Sequence, residues 1–101
     1  MDFKQLTDEM NRFVHSKGWF EADSTRPQTP RHLSISLALE AAEILEYFQW
    51  RNEVQDKEEL ASELADVALY LFELAAVTEI DLEQAMLKKL EVNKTRKWDK
   101  E

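Results

Sequence analysis

The stretch ASELADVALYLFELAAV, residues 61–77, decides the fold, because it is long and apolar and contains no Gly or Pro. Its apolar residues fall on nearly every side of a helix instead of forming a single stripe. A helix of this kind is buried by neighbours on most sides. It is therefore predicted to lie at the centre of the protein and, in a chain of only 101 residues, to face a partner subunit as well.

Helix-start signals around this segment predict four helices. Each start has an Asp or Thr just before an apolar repeat, which is the usual N-cap arrangement. These caps are Asp2, Thr29, Asp56 and Asp81, and the helices that follow them are predicted to span residues 3–17, 30–52, 57–78 and 82–97. The connections after the second and third helices are short, which predicts antiparallel neighbours. The expected architecture is a single all-α domain over residues 1–101, resembling a four-helix bundle.

The composition of the chain argues against several classes of function. The net charge of −8 argues against a nucleic-acid polymer as partner. The absence of cysteine excludes disulfides, thiolate metal sites and thiol catalysis. No apolar run is long enough to span a membrane, and the first ten residues do not resemble a signal peptide, so a cytoplasmic location is expected. Self-association into a homo-oligomer is also expected, because so short a chain buries little surface by itself.

Four acidic residues form two pairs on the two most apolar helices. Glu40 and Glu43 lie in SLALEAAEILEYFQW, residues 36–50, and Glu63 and Asp66 lie in the third predicted helix. Residues three apart share one face of a helix. The chain between the pairs is long enough to end one helix, turn and begin the next. The two pairs are therefore predicted to converge across a helical hairpin.

Carboxylates that converge in an apolar setting need a compensating interaction. Either their pKa values are raised, or a hard divalent cation lies among them. Mg²⁺ or Mn²⁺ suits a site made only of carboxylate oxygens, whereas the placement of His15 and His32 does not fit a di-iron site. Glu pairs at this spacing are also common on solvated faces, so spacing alone leaves both interpretations open.

Other polar and aromatic residues also allow two interpretations. Lys89, Asn93 and Arg96 form one stripe on the fourth helix, which suits either a phosphate site or the negative end of the helix dipole. Tyr70 lies one turn beyond Asp66 and either packs in the core or contacts a phosphate. The remaining candidates are Trp19 and Trp50, as packing residues or base-stacking surfaces, and Glu46 and Glu73, each near a pair on the same helix.

Two segments together resemble a known family. These are PRHLSISLALEAAEILEYFQWR, residues 30–51, and EELASELADVALYLFELAAVTEIDLEQAMLKKLEVNKTRKW, residues 58–98. They resemble the all-α, MazG-like nucleoside triphosphate pyrophosphohydrolases, and most of all the dCTP pyrophosphatase branch. The resemblance rests on Glu-x-x-Glu followed by Glu-x-x-Asp, on Phe-Gln-Trp at residues 48–50, on Tyr70, and on the stripe in the last helix.

The resemblance implies hydrolysis of dCTP or a modified dCTP to the monophosphate and pyrophosphate. It implies Mg²⁺, with Mn²⁺ as a substitute, and a homodimer or homotetramer whose helices shape the pockets together. By the family pattern, the metal ligands and catalytic residues are Glu40, Glu43, Glu63 and Asp66, and the substrate contacts are Trp50, Tyr70, Lys89, Asn93 and Arg96. Glu40 or Glu43 is the candidate general base.

The chain departs from the family pattern near the expected base pocket. His32 stands where the branch has Asn, and the loop at residues 19–29 does not align residue by residue. Trp19 is the candidate for a base-contacting Trp of that region. Base preference therefore stays open, with an all-α dUTPase-like activity as one alternative. The other is a non-catalytic helical dimer that acts as an interaction module.

Overall fold

The computed structural model describes residues 1–97, which form four α-helices and no strand. The helices are α1 (Phe3–Ser16), α2 (Pro30–Phe48), α3 (Lys57–Val77) and α4 (Leu82–Thr95). This confirms the predicted all-α class. None of these four helices is both long and apolar enough to cross a bilayer.

All four helices begin at their predicted N-caps, because each cap side chain accepts a hydrogen bond from an otherwise unpaired backbone N–H. At α1 the capping box is complete: the Asp2 carboxylate accepts from the Gln5 N–H, and the Gln5 side chain accepts from the Asp2 N–H, both at 2.8 Å. The other cap distances are 3.2 Å at Thr29, 3.0 Å at Asp56 and 3.1 Å at Asp81.

The C-terminal ends were predicted less well. The largest difference is at α2, which ends at Phe48, whereas the sequence predicted a helix to residue 52. Trp50 is 84 % exposed, so extending the helix through it would bury little apolar surface. Most helix stability in proteins comes from such burial. The Phe-Gln-Trp motif therefore lies at the end of the helix and not within it.

Helix α3 is the centre of the subunit, as predicted, because both α1 and α2 pack against it. Phe3 of α1 contacts Phe72 of α3 with ring centroids 4.8 Å apart. Val14 and Leu33 are buried on the facing elements. Within the described range α4 buries none of its residues, so this helix contributes little to the core of a single subunit.

The end of α1 folds the following loop back onto the helix. Gly18 has a φ of 70°, a region that favours glycine. Its N–H donates to the His15 carbonyl at 3.0 Å, and the Trp19 N–H donates to the Val14 carbonyl at 3.2 Å. This pair of bonds is a Schellman motif. It places the Trp19 ring at right angles to Phe13, with a centroid distance of 5.3 Å.

Candidate functional site

Three of the four predicted carboxylates meet between α2 and α3. One oxygen each of Glu40, Glu43 and Glu63 lies within 4.8 Å of the other two. The i, i+3 spacing puts Glu40 and Glu43 on the face of α2 that packs toward Glu63. These residues are named the three-glutamate cluster below.

The cluster perturbs the acid–base behaviour of its members. Burial, followed by the neighbouring Glu43 and Glu63, raises the pKa of Glu40 from 4.5 to about 7. Burial also raises the pKa of Glu63, and the charges of Glu43 and Asp66 add to this effect. Ionised carboxylates at this separation repel one another, so the cluster retains a proton more readily than isolated glutamates do.

The donor set of the cluster fits a divalent cation. All of its ligand atoms are carboxylate oxygens, which Mg²⁺ and Mn²⁺ prefer. The Oε2 atom of Glu63 is buried and has no hydrogen-bond partner in residues 1–97. A bound cation would satisfy this oxygen and remove the repulsion. The cluster is therefore a candidate metal site.

Asp66 lies outside the cluster. Its exposed side chain follows Glu63 by three residues on α3, and its charge contributes to the raised pKa of Glu63. It lines a neighbouring cleft instead, so the structure brings together three of the four predicted ligands and leaves the fourth at the border.

The neighbouring cleft has a volume of about 490 Å³ and lies between α1, the loop after it, the start of α2, and α3. We call it the α1–α3 cleft. Apolar side chains form much of its wall, including those of Phe13 and Leu33. Its polar and aromatic lining includes Trp19, His32, Asp66, Tyr70 and Glu73. An apolar cavity with a few convergent polar groups is the usual form of a small-molecule site.

Two sequence-predicted residues, Trp19 and Tyr70, thus line the same cleft as Asp66. Arg26 lies over the Trp19 ring at 5.3 Å from its centroid. His32 stands in place of the Asn of the family pattern. Its Nδ1 shares a hydrogen bond with the Thr29 hydroxyl, at 2.6 Å. The unaligned loop is therefore part of the cleft wall.

A second cleft of about 500 Å³ borders the cluster and includes Glu43, Tyr47, Arg51, Glu59 and Glu63. Burial, together with the nearby Glu59 and Glu63 carboxylates, raises the pKa of the Tyr47 phenol to about 12. Tyr47 was not among the residues predicted from the sequence. The available signal was its position four residues after Glu43, which places it on the same face of α2.

The remaining predicted contacts lie elsewhere in the subunit. Lys89 and Arg96 are exposed on or just after α4, Asn93 is half-buried, and Trp50 is exposed after α2. Within the described residues none of them lines either cleft. Their roles as substrate contacts therefore stay predictions.

Comparison with known proteins supports the resemblance seen in the sequence. The pattern of the MazG-like family matches residues 35–101, a range that contains all four predicted acidic ligands. The chain is 33 % identical over 94 residues to dCTP pyrophosphatase 1 of Mus musculus and of Homo sapiens, and the match covers 84 % of the chain. It spans only 55 % of each of these relatives.

A solved structure also matches over most of its length. A pyrophosphatase from Archaeoglobus fulgidus DSM 4304 superposes with a TM-score of 0.78 at 35 % sequence identity, covering 93 % of this chain and 92 % of the other. The family pattern covers more than half of the chain, and the structural match covers most of it. The chain belongs to the MazG-like family.

Proposed function

We propose that this chain is a nucleoside triphosphate pyrophosphohydrolase that converts dCTP, or a modified dCTP, to the monophosphate and pyrophosphate. The observation that carries the proposal is the meeting of Glu40, Glu43 and Glu63 oxygens within 4.8 Å, beside a cleft of nucleotide size. The relatives named dCTP pyrophosphatase 1 and the pyrophosphatase of similar structure support the same chemistry.

The three-glutamate cluster is proposed to hold Mg²⁺, with Mn²⁺ as a substitute, and Asp66 is proposed as a further ligand at its border. A bound divalent cation would supply positive charge against the triphosphate oxygens and the leaving pyrophosphate. The protein's own contribution is to fix the carboxylates on two packed helices before the substrate arrives.

In the proposed reaction, a water oxygen bonds to the α-phosphorus, and the bond from that phosphorus to the α–β bridging oxygen breaks. Pyrophosphate leaves with the bridging oxygen, and a carboxylate of the cluster accepts one of the two protons of the water. Glu40 or Glu43 is proposed as this general base, because both belong to the cluster.

The α1–α3 cleft is proposed to bind the nucleoside, with Tyr70 toward the phosphates and Trp19 toward the base. Lys89, Asn93, Arg96 and Trp50 are proposed to complete the site from a partner subunit in a homodimer or homotetramer. A cytoplasmic location, where nucleotide pools are found, fits this role.

The test is pyrophosphate release from dCTP, dUTP, dTTP, dATP, dGTP and 5-methyl-dCTP in the presence of Mg²⁺. We expect Glu43→Gln and Asp66→Asn each to lower turnover by about 100-fold or more, since even residues that only support metal ligands are worth about 10–100-fold. Glu58→Gln, an exposed change in the first turn of α3, is the matched control and should keep wild-type turnover.

Near-native turnover in both site variants would rule out the proposed site. A preference for dUTP would instead favour the dUTPase-like alternative. If Mg²⁺ and dCTP leave the melting temperature unchanged, the chain is better explained as a helical interaction module, because a ligand that binds the folded state must stabilise it.

A further inference from the structure

Glu73 is a buried acid for which the proposed reaction has no use. It lies on α3, its residue is only 2 % exposed, and it lines the α1–α3 cleft. Burying a carboxylate is costly unless it is hydrogen-bonded or paired with a cation. The burial of the Glu73 carboxylate in the wall of a cleft therefore needs a physical explanation.

The partners of Glu73 leave part of its acceptor capacity available. When the Asn11 amide is oriented with its nitrogen toward Glu73, that nitrogen donates to both carboxylate oxygens, at 2.9 and 3.1 Å. The ion pairs found in residues 1–97 do not include Glu73. Burial raises its pKa, and the charge of His15 opposes this shift. Because a carboxylate has about four acceptor positions, two amide contacts do not exhaust them.

Glu73 also continues the polar side of α3 away from the candidate metal site. Glu63, Asp66, Tyr70 and Glu73 follow one another at steps of three, four and three residues, which keeps them along one side of the helix. Asp66 and Glu73 are separated by about 10.5 Å along the helix axis. That separation is comparable to the distance from the α-phosphate of a nucleotide to the far edge of its base.

We propose that Glu73 is a specificity residue that accepts a hydrogen bond from the exocyclic amino group of a 4-aminopyrimidine base, that is, cytosine or a modified cytosine. The inference rests on the proposed function, which puts a nucleoside triphosphate in the α1–α3 cleft with its phosphates toward the three-glutamate cluster.

The chemistry of the ring position gives the selectivity. Cytosine presents an N–H donor at position 4, whereas uracil and thymine present a carbonyl oxygen there. A carboxylate pairs with the donor, as acidic side chains do with cytosine in nucleic acids. Against the carbonyl it would meet a second acceptor, and burial in an apolar wall would make the mismatch costly.

A purely structural role for Glu73 makes a different prediction. If the carboxylate only ties α3 to Asn11 of α1, its loss should change stability and lower activity on all nucleotides by the same factor. A base-reading role changes the ratio between substrates. The deciding readout is therefore the ratio of kcat/KM for dCTP to kcat/KM for dUTP.

The experiment compares the wild type with Glu73→Gln, using dCTP, dUTP and the 2-pyrimidinone analogue of dCTP, which lacks the amino group. The wild type should prefer dCTP to both other substrates. In Glu73→Gln the dCTP-to-dUTP ratio should fall by about tenfold or more, since one good base contact discriminates by that order and the new amide can donate to the uracil carbonyl. Glu58→Gln is the control and should keep the wild-type ratio.

Glu73→Met, which is similar in length and apolar, serves as the second variant if Gln impairs folding. An unchanged dCTP-to-dUTP ratio of kcat/KM in a folded variant overturns the inference while leaving the proposed function intact. The same holds if the wild type hydrolyses dCTP and its 2-pyrimidinone analogue equally well. If the wild type hydrolyses no nucleoside triphosphate, the proposed function fails and the inference falls with it.

Discussion

At the scale of single residues, Glu40 gives the protein a measurable pH response. Its pKa is 4.5 in the unfolded chain and about 7 in the folded protein. Between these two pH values the folded state binds more protons than the unfolded state. The contribution of Glu40 to the stability of the fold is therefore complete below pH 4.5 and is lost as the pH rises through about 7. The melting temperature of the metal-free protein in EDTA should therefore fall from pH 4.5 to pH 7. Glu40→Gln should make this decline shallower, as measured by calorimetry.

The effect of Mg²⁺ provides the second half of this test. Because a cation binds the ionised carboxylates, Mg²⁺ should raise the melting temperature more at pH 8 than at pH 5. Glu58→Gln should keep both the decline in EDTA and the response to Mg²⁺. An identical pH dependence in the wild type and Glu40→Gln would contradict the assignment of the shifted group.

Individual site residues were predictable from sequence only where spacing along one helix was enough. The i, i+3 rule placed Glu40 beside Glu43, and the packing of α2 on α3 brought in Glu63. Whether Asp66 joined them depended on the rotation of α3 relative to α2, which local spacing does not encode. Glu73 was recognised only as lying near the pairs, because its burial depends on α1, a distant element.

At the scale of elements, α1 and α3 end in the same backbone geometry but with different residues. After α3 the left-handed position is occupied by Glu79, at a φ of 58°. Its N–H donates to the Ala76 carbonyl at 3.1 Å, and the Ile80 N–H donates to the Ala75 carbonyl at 2.9 Å, which is again a Schellman motif. Any residue with a Cβ is strained here, whereas glycine is not.

Substitutions at these two positions should therefore have opposite effects on stability. Gly18→Ala should lower the free energy of unfolding by about 1 kcal/mol, because the added Cβ meets only Glu21 Cγ, at 3.9 Å, and the cost is backbone strain. Glu79→Gly should raise the free energy of unfolding by up to about 1 kcal/mol. This value allows for the greater flexibility that glycine gives to the unfolded chain. Urea denaturation at fixed protein concentration measures both.

Gly18→Asn is the control for the first change, because Asn tolerates the left-handed region and should cost less than Ala. Equal stabilities for Gly18→Ala and wild type would mean that the end of α1 does not depend on this geometry.

Element boundaries show why helix starts were easier to predict than helix ends. Each start has a side chain that bonds to the backbone a few residues later, so the signal is local and appears in the sequence. The end of α2 has no Gly or Pro nearby, and its position depends on where burial stops, between Phe48 and the exposed Trp50. That information belongs to the tertiary structure.

At the scale of the whole molecule, a single subunit is less compact than a typical globular monomer of the same mass. Its radius of gyration is 16.3 Å, against about 13 Å for a compact domain of this length. Its accessible surface is 8289 Å², against roughly 6,000 Å² for a compact monomer of this mass. The excess surface area is similar to the area that each subunit buries in an obligate homodimer. Leu87 and Leu90 of α4 are 51 % and 54 % exposed, so an apolar part of α4 is available for such burial.

We therefore expect light scattering to give a mass of two or four times 11.9 kDa for the wild type. Leu90→Lys should shift the protein toward monomer, because a charge would have to be desolvated in the interface. Gln84→Lys, which makes the same charge change at an exposed polar position of α4, is the control and should keep the wild-type mass. A wild-type monomer would contradict the expectation.

Assembly and activity should also be linked, because Lys89 and Asn93 lie on the same helix as Leu90 and line neither cleft of their own subunit. If they reach the three-glutamate cluster of a partner, dilution of Leu90→Lys should lower its specific activity, and concentration should restore it. The wild type should keep a constant specific activity over the same range. Full, concentration-independent activity in a monomeric Leu90→Lys variant would show that one subunit contains a complete site.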